Sequence, residues 1–401
     1  MTSRGSSGSD APGVRLGLIV AITITGIMGN VLIAPAIPDI VDDFRVPTSA
    51  AGWLLAATTA PAILLAPVIG VLADRYGRRE VLLPCLLLFG VSGGLSALAP
   101  TYPALVGLRL IQGIGSAGLI NLAIVLVGDT WDGAQRARMM GRNAAALTAS
   151  IVVLPPIGGA LTEVGGWRMT FAPYWIALAT AVLVSVRLPR GRRGDASVAA
   201  QVRAVRPLLG SRPVLAPIVL GFVVFVLVFG LFFTIVPFYL DRTFEVGAGG
   251  RGLVLALPAV TSTVAALNLG RLQERYALRS VLAVAFSLFA MGFGLAAAVP
   301  ALWALCAGVL LYGAGEGVTI AGLQNAVAGA APTAVRGAVV AVWVGAARAG
   351  QTLGPVVAAA GLDGPGARAT FAGGAVLSAV LVPAVWGLLR SGQGMVAPAT
   401  N

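Results

Sequence analysis

The sequence predicts an all-α membrane protein with twelve transmembrane helices in two pseudo-symmetric halves of six. Of its 401 residues, 58% are hydrophobic and only 10% are charged, and the mean hydropathy is +0.92. Soluble chains carry about 25% charged residues, so this composition excludes a soluble protein. Apolar runs of roughly 20 residues recur along the chain, and each is long enough to cross a hydrocarbon core of about 30 Å. A repeat within the chain divides these runs into the two halves.

The twelve predicted helices follow the apolar runs in order, at residues 16–37, 50–72, 80–99, 103–127, 139–161, 167–188, 213–239, 250–270, 279–298, 301–326, 337–360 and 368–389. Each run ends where charged residues, Pro or Gly interrupt it. The interruptions are, in order, DDFRVPTSA, DRYGRRE, APTYP, DTWDGAQRARMMGR, GGWR, the segment 189–212, DRTFEVGAGGR, QERYALRS, VPAL, APTAVRG and DGPGAR.

The same pattern predicts the division into domains. Residues 1–15 are rich in Ser and Gly and are predicted to form a disordered N-terminal tail. The apolar run after them is too long for the core of a signal peptide, so no cleavage is expected. The other segments are an N-terminal half at 16–188, a cytoplasmic linker at 189–212, a C-terminal half at 213–390 and a C-terminal tail at 391–401.

The distribution of arginine predicts the orientation. All 27 basic residues are Arg, and with both termini in the cytoplasm 20 of them face inward. Two, Arg109 and Arg348, lie within spans, and five face outward: Arg45, Arg168, Arg242, Arg251 and Arg368. By the positive-inside rule we expect a multi-pass protein of the plasma membrane with both termini cytoplasmic. We expect this membrane to be a bacterial inner membrane. Contact with anionic membrane lipid explains the net charge of +12, so no nucleic-acid partner is predicted.

The two halves repeat each other at a constant offset of 200 residues. The stretch GVLADRYGRREVLL beginning at Gly70 matches GRLQERYALRSVLA beginning at Gly270. Further pairs at the same offset are Gly113/Gly313, Gly115/Gly315, Arg136/Arg336 and Pro155/Pro355. Two six-helix repeats in parallel orientation are typical of secondary transporters, whose binding site lies near the midplane between the halves.

A charged segment between helices 2 and 3 resembles the loop motif G-x-x-x-D-R-x-G-R-R of the major facilitator superfamily. The motif is complete at Gly70, Asp74, Arg75, Gly77, Arg78 and Arg79. The resemblance implies a conformational latch on the cytoplasmic face, with Asp129 as an acid that the arginines can reach. A positively charged loop that only sets topology is the alternative. We favour the latch, because topology requires neither Asp74 nor two glycines at fixed spacing.

Two further motifs resemble those of the twelve-helix drug/proton antiporters of this superfamily. Helix 4 carries R-x-x-Q-G-x-G at Arg109, Gln112, Gly113 and Gly115. Helix 5 resembles G-x-x-x-G-P-x-x-G-G, although Ser150 and Leu154 stand where glycines are expected. The predicted helix-packing motif comprises Pro155, Gly158 and Gly159 in helix 5 and Gly354 and Pro355 in helix 11. Ordinary close packing of small residues is the alternative reading of both glycine runs.

The candidates for proton coupling are Glu316, Arg109 and Asp39. Glu316 is the only carboxylate predicted well inside a helix. An ionisable group is costly inside a membrane, so we assign it a functional role, here proton exchange. A static ion pair with Arg348 is its alternative role. Asp39 and Glu163 are rivals near the outer ends of helices 1 and 5, where ordinary solvation is the simpler explanation. The resemblance implies that Arg109 tunes a carboxylate or orients water.

The candidates for substrate binding are polar or aromatic side chains on helices expected to line the central cavity. They are Asn30, Gln112, Phe229, Phe233, Tyr312, Asn325, Trp343 and Arg348. Aromatic surfaces suit an apolar ligand, although such residues also pack against lipid or other helices. Helix 1 lacks the membrane acid that several multidrug members carry, which disfavours a strongly cation-selective pump.

The sequence therefore predicts a secondary active exporter of drugs or natural products, of the kind that confers antibiotic resistance, working by proton antiport and alternating access. Its partners would be a small amphipathic substrate, protons and membrane lipid, and a monomer is expected. The alternatives are a carrier for a nutrient, metabolite or lysolipid and a non-transporting membrane sensor. No His, nucleotide-binding loop or metal cluster is present, so no enzyme activity, cofactor or metal is predicted.

Overall fold

The computed structural model describes residues 16–190, 210–332 and 336–389. These residues form an all-helical bundle, which confirms the predicted fold class. The twelve helices, numbered α1 to α12, are Leu16–Asp43, Ala50–Tyr76, Arg78–Leu98, Tyr102–Thr130, Gly133–Gly165, Trp167–Arg187, Arg212–Phe244, Ala248–Arg275, Leu278–Ala298, Leu302–Ala330, Arg336–Asp363 and Ala367–Leu388. The predicted tails at 1–15 and 391–401, and most of the linker at 189–212, lie outside the described residues.

Eleven of these helices are long and apolar enough to cross a membrane. The remaining one is α11, which has 28 residues but carries charged and polar side chains in its middle, including Arg348 and Gln351. Large apolar side chains are exposed on the outside of the bundle, as at Leu64 and Leu267. Such a surface suits contact with lipid, and the chain is a multi-pass membrane protein.

The helices depart from regular α-helical geometry at several positions that contain proline or glycine. A short 3-10 segment at Ala34–Ala36 contains Pro35 and continues directly into the last turns of α1. In α7, residues Val228–Ile235 form a π-helical segment, a feature frequent at functional sites. Gly77 joins α2 to α3 with a φ of 107°, a backbone region that other residues rarely adopt.

The offset of 200 residues holds in three dimensions as well as in sequence. Arg45 and Glu245 are the two described non-glycine residues with positive φ, at 52° and 53°. Gly166 and Gly366 also share a positive φ, at 73° and 86°. These residues precede equivalent helices in the two halves, so the repeat in the sequence corresponds to a repeated backbone path.

The halves pack through α2 against α11 and through α5 against α8. A Cβ placed on Gly52 of α2 would lie 2.6 Å from the carbonyl oxygen of Pro355, and one on Gly252 of α8 would lie 2.4 Å from that of Pro155. Any larger residue would therefore separate the halves. We call this the closed end, defined by the α1–α2, α5–α6, α7–α8 and α11–α12 turns. The opposite, arginine-rich end is defined by the α2–α3, α4–α5 and α8–α9 turns.

Candidate functional site

A buried arginine joins the halves at the closed end. Arg251 of α8 is only 1% exposed. Its Nη1 lies 2.9 Å from Asp241 Oδ1 of the same half, and its Nη2 donates to Asp39 of the other half. A second, exposed pair joins Arg242 Nη2 to Asp42 Oδ1 at 3.5 Å. Asp39, a predicted coupling residue, therefore takes part in closing this end.

Two carboxylates cap helices of the opposite half in a reciprocal arrangement. Asp363, at the end of α11, accepts a hydrogen bond of 2.8 Å from the backbone N–H of Ser49, which precedes α2. Glu163, near the end of α5, accepts one of 2.8 Å from the backbone N–H of Gly249 in the first turn of α8. Both the donors and the acceptors are separated by 200 residues. A carboxylate at a helix N-terminus satisfies free N–H groups and interacts favourably with the helix dipole.

A fifth polar contact between the halves lies deeper in the molecule. The hydroxyl oxygens of Thr59 in α2 and Thr352 in α11 are 2.9 Å apart. Thr59 lies about 14 Å along its helix from the start of α2, at a rise of roughly 1.5 Å per residue. Among the bonds between described residues, those that cross the halves thus occupy the closed end and the adjoining part of the interface.

The reciprocal caps predict equal effects for two distant substitutions. Glu163→Gln and Asp363→Asn should each weaken closure by about 0.5–1 kcal/mol, because each removes one exposed charge at a helix N-terminus. The double variant should show about the sum. The measurement is the alkylation rate of Thr59→Cys by a membrane-impermeant maleimide, in a background without Cys85 and Cys306.

Glu245→Gln is the control for that experiment, because it removes an exposed acid from the α7–α8 turn at the same end. It should leave the alkylation rate unchanged. A change for only one of the two capping variants would contradict the reciprocal arrangement.

At the arginine-rich end, the motif between α2 and α3 forms a cluster within the N-terminal half. Arg78 pairs with Asp74, and its Nε lies 3.0 Å from Asp129 Oδ2 at the end of α4. Arg75 instead lies over the ring of Tyr76, at 5.5 Å. Arg79 is partly exposed, next to Arg78 in the first turn of α3. A Cβ on Gly70 would meet no atom within 4 Å, so nothing packs closely against α2 at that point.

Arg109 lies at the centre of a buried network in the N-terminal half. Its side chain is 0% exposed and donates to Gln112 Oε1 at 2.6 Å, to the Gly29 carbonyl at 2.6 Å and to Asn30 Oδ1 at 2.7 Å. Tyr174 Oη, from α6, lies 3.5 Å from Nη1. These bonds connect α1, α4 and α6. The predicted residues Arg109, Gln112 and Asn30 therefore lie together, but inside one half.

We predict that Arg109→Lys destabilises the protein by about 2–4 kcal/mol, because one ammonium group cannot serve oxygens on three helices and buried acceptors lose their donors. The measurement is the thermal unfolding midpoint of the purified protein. Arg45→Lys, at an exposed position, is the control and should leave the midpoint unchanged. An unchanged midpoint for Arg109→Lys would show that the network adds little to stability.

Glu316 and Arg348 lie near the middle of their helices in the C-terminal half, about 21 Å and 22 Å along them from the closed end. Ser262 of α8 lies beside this part of α10, because a Cβ on Gly317, the residue after Glu316, would be 2.1 Å from the Ser262 carbonyl oxygen. The only hydrogen bond described for the Arg348 side chain joins its Nη1 to Gln351 Oε1, at 3.0 Å. No ion pair joins Glu316 to Arg348 in the described part of the chain, and both side chains are partly exposed.

The aromatic candidates differ in their burial. Tyr312 is 1% exposed and stacks between Phe232 and Phe289, with ring centroids 5.0 and 5.2 Å away. Phe233 and Trp343 are also buried, whereas Phe229 is partly exposed, 5.2 Å from Phe233.

The remaining predicted residues lie away from this group. Asn325 is exposed in α10, toward the arginine-rich end. The helix-packing residues all lie at close contacts between helices. A Cβ on Gly158, Gly159 or Gly354 would lie 2.5 Å or less from a backbone oxygen, of Leu32, Ala248 and Val226 respectively. The carbonyl oxygens of Pro155 and Pro355 approach Gly252 and Gly52.

Sequence reasoning missed the partners at the closed end. Arg251 was counted only among the outward-facing arginines, and Asp241 and Asp363 were not singled out. The offset of 200 residues relates Glu163 to Asp363 and could have identified the reciprocal caps.

Comparisons with known proteins agree with this architecture. The model of the family described as Major Facilitator Superfamily matches residues 19–250 and 240–399. The chloramphenicol resistance protein of Streptomyces lividans is 29% identical over 278 residues, which cover 69% of this chain and 70% of that protein. The Bacillibactin exporter of Bacillus subtilis (strain 168) is 27% identical over 263 residues, 61% of this chain and 64% of that protein.

A third relative, the multidrug transporter protein MdtP of the same Bacillus subtilis strain, is 30% identical over 178 residues, which cover 44% of this chain and 32% of that protein. The match thus spans less than two thirds of both Bacillus relatives. Among solved structures, the nucleoside transporter NupG has a TM-score of 0.76 at 12% identity, covering 93% of this chain and 100% of that chain. A bacterial homolog of the human lysosomal transporter Spinster, inward-facing and unoccupied, has a TM-score of 0.75 at 17% identity, covering 95% and 97%. At these identities the structures show the fold alone.

Proposed function

The chain belongs to the major facilitator superfamily, and we propose that it exports an amphipathic drug or natural product in exchange for protons that move inward. The superfamily and the named relatives point to a membrane transporter rather than an enzyme. The names of the relatives describe multidrug transport, bacillibactin export and chloramphenicol resistance. We extend export to this chain as part of the proposal.

The observation that carries the proposal is the unequal distribution of contacts between the ends. Polar contacts that cross the halves lie at the closed end, from Arg251 and Asp39 to Thr59 and Thr352. The motif cluster at the other end bonds within its own half. This is the arrangement expected of one of the two states in alternating access, in which the halves rock around a central site.

In this proposal the arginine-rich end faces the cytoplasm, because positively charged turns are retained there. The closed end then faces outward, and the central space is open to the inside. The empty surface beside Gly70 is where α11 would approach in the opposite state, with Asp74, Arg75 and Arg79 as the latch.

Proton coupling is proposed for Glu316, with Asp39 as a second site. Glu316 is a partly exposed carboxyl in the middle of a helix. Ionisable groups at such a depth are costly and are usually functional. Asp39 bonds Arg251 of the other half, so a coupling role at this residue would act on the contact that closes the outer end.

The experiment is dye and antibiotic retention in cells that lack their own efflux pumps. Cells that express the wild type should retain less dye than control cells, and a protonophore should abolish the difference. Asp74→Asn should also abolish it, because the latch loses its acid, while the protein remains in the membrane. Equal retention with and without the expressed protein, for every compound tested, would contradict a broad exporter.

A further inference from the structure

The central part of the molecule has an excess of positive charge. Three charged side chains lie in the helix interiors between the two ends: Arg109, Arg348 and Glu316. The oxygens bonded to Arg109 all belong to amides, carbonyls or a tyrosine, and none belongs to a carboxylate. Glu316 and Arg348 do not pair. Even with Glu316 ionised, the formal sum of these three groups is therefore positive.

Arg348 is directed toward the interface between the halves. Residues four apart share a helix face, so Arg348 points the same way as Thr352. Thr352 meets Thr59 of the other half, and Pro355, one turn further on, meets Gly52. Arg348 is thus the next side chain inward from the contact that closes the interface. Arg348 is partly exposed, as expected for a side chain at the place where that contact ends.

The guanidinium of Arg348 has unused capacity for an anion. It carries five N–H donors in a planar fork that fits a carboxylate or sulfonate with two parallel bonds. No carboxylate of the described residues lies within the 4.0 Å limit of an ion pair. Gln351 uses one of its nitrogens and is neutral. Since an unpaired charge at this depth is costly, an anion that entered from the central space would be stabilised there.

We propose that this transporter selects organic anions, whose carboxylate or sulfonate group binds Arg348. The inference rests on the proposed function, because it takes the space between the halves as the route of the substrate. It separates this chain from exporters that select organic cations.

The test compares two xanthene dyes of opposite charge, fluorescein and tetramethylrhodamine ethyl ester, by fluorescence anisotropy with the purified protein in nanodiscs. The wild type should bind fluorescein at least about tenfold more tightly than the cationic dye. Arg348→Gln should weaken fluorescein binding by about tenfold or more without weakening binding of the cationic dye. Arg348→Lys should retain part of the affinity, because the positive charge remains. Arg45→Gln, which removes an exposed arginine, should bind like the wild type, and unfolding midpoints show whether each variant is folded.

Tighter binding of the cationic dye, or fluorescein binding that Arg348→Gln leaves unchanged, would overturn the inference, as would failure of the folded wild type to bind either dye. A transport assay with the same protein in proteoliposomes tests the proposed export function separately from the anion site. Fluorescein binding that depends on Arg348 without movement of dye would contradict the exporter and leave the anion site intact. Movement of the cationic dye alone would leave the exporter intact and overturn the anion site.

Discussion

Replacing Glu316 with glutamine should abolish proton-driven export while the protein stays folded. Glutamine has nearly the same shape, but it cannot gain or lose a proton. If Glu316 carries the proton, Glu316→Gln should reduce dye movement driven by a pH gradient in proteoliposomes to the level of empty vesicles. Exchange of dye for dye across the membrane needs no net proton movement and should continue.

The controls separate coupling from folding. Glu316→Asp keeps a titratable group and should retain part of the gradient-driven rate. Glu274→Gln, which removes an exposed acid at the arginine-rich end, should have no effect. Full gradient-driven transport by Glu316→Gln would exclude Glu316 as the carrier and leave Asp39 as the remaining coupling candidate of the proposal.

Replacing Arg251 with glutamine should open the closed end. The substitution leaves Asp39 and Asp241 close together without the guanidinium that holds them. Breaking a buried ion pair costs about 3–5 kcal/mol, and partial exposure of both carboxylates reduces this to roughly 2–3 kcal/mol here. A change of that size shifts the ratio of open to closed molecules by about 30- to 150-fold. The measurement is alkylation of Thr59→Cys by an impermeant maleimide, which should become faster by a similar factor.

Arg168→Gln provides a matched control for Arg251→Gln. Arg168 Nη1 also bonds a carboxylate at the closed end, Asp43, at 2.9 Å, but both residues belong to the N-terminal half. Its loss should therefore leave the alkylation of Thr59→Cys unchanged. Equal acceleration by both substitutions would show that the closed end responds to general loss of charge rather than to the bond between the halves.

The membrane explains why the fold could be predicted so fully. A span must be apolar along its length, so the runs from residue 16 to residue 389 predicted all twelve helices, mostly to within a few residues. The larger differences are at the ends of α1, α7 and α8, which continue to Asp43, Phe244 and Arg275, and at the start of α5, which begins at Gly133. These extensions carry charged residues that hydropathy assigns to loops. In α1 and α7, the bonds of Asp39 and Asp241 to Arg251 satisfy two of these charges within the helical structure.

The candidate site was predicted less completely, because its contacts depend on which residues distant in sequence come together. The motif cluster of Asp74, Arg78 and Asp129 could be anticipated, since adjoining turns bring these residues to the same end. The pairing of Arg251 with Asp39 could not, because the two residues belong to different halves and meet in only one state of the proposed cycle. Tyr312 was predicted to bind substrate, but its burial between aromatic rings depends on neighbouring helices that its own sequence does not specify.

The most direct test of alternating access measures distances at both ends of one molecule. Spin labels at Pro47 and Thr243 report on the closed end, and labels at Gln135 and Gln273 report on the arginine-rich end; all four positions are exposed. If the halves rock as rigid bodies, Arg251→Gln should lengthen the first distance and shorten the second in the same fraction of molecules. A longer distance at the closed end with no change at the arginine-rich end would show a local opening, and would contradict the account.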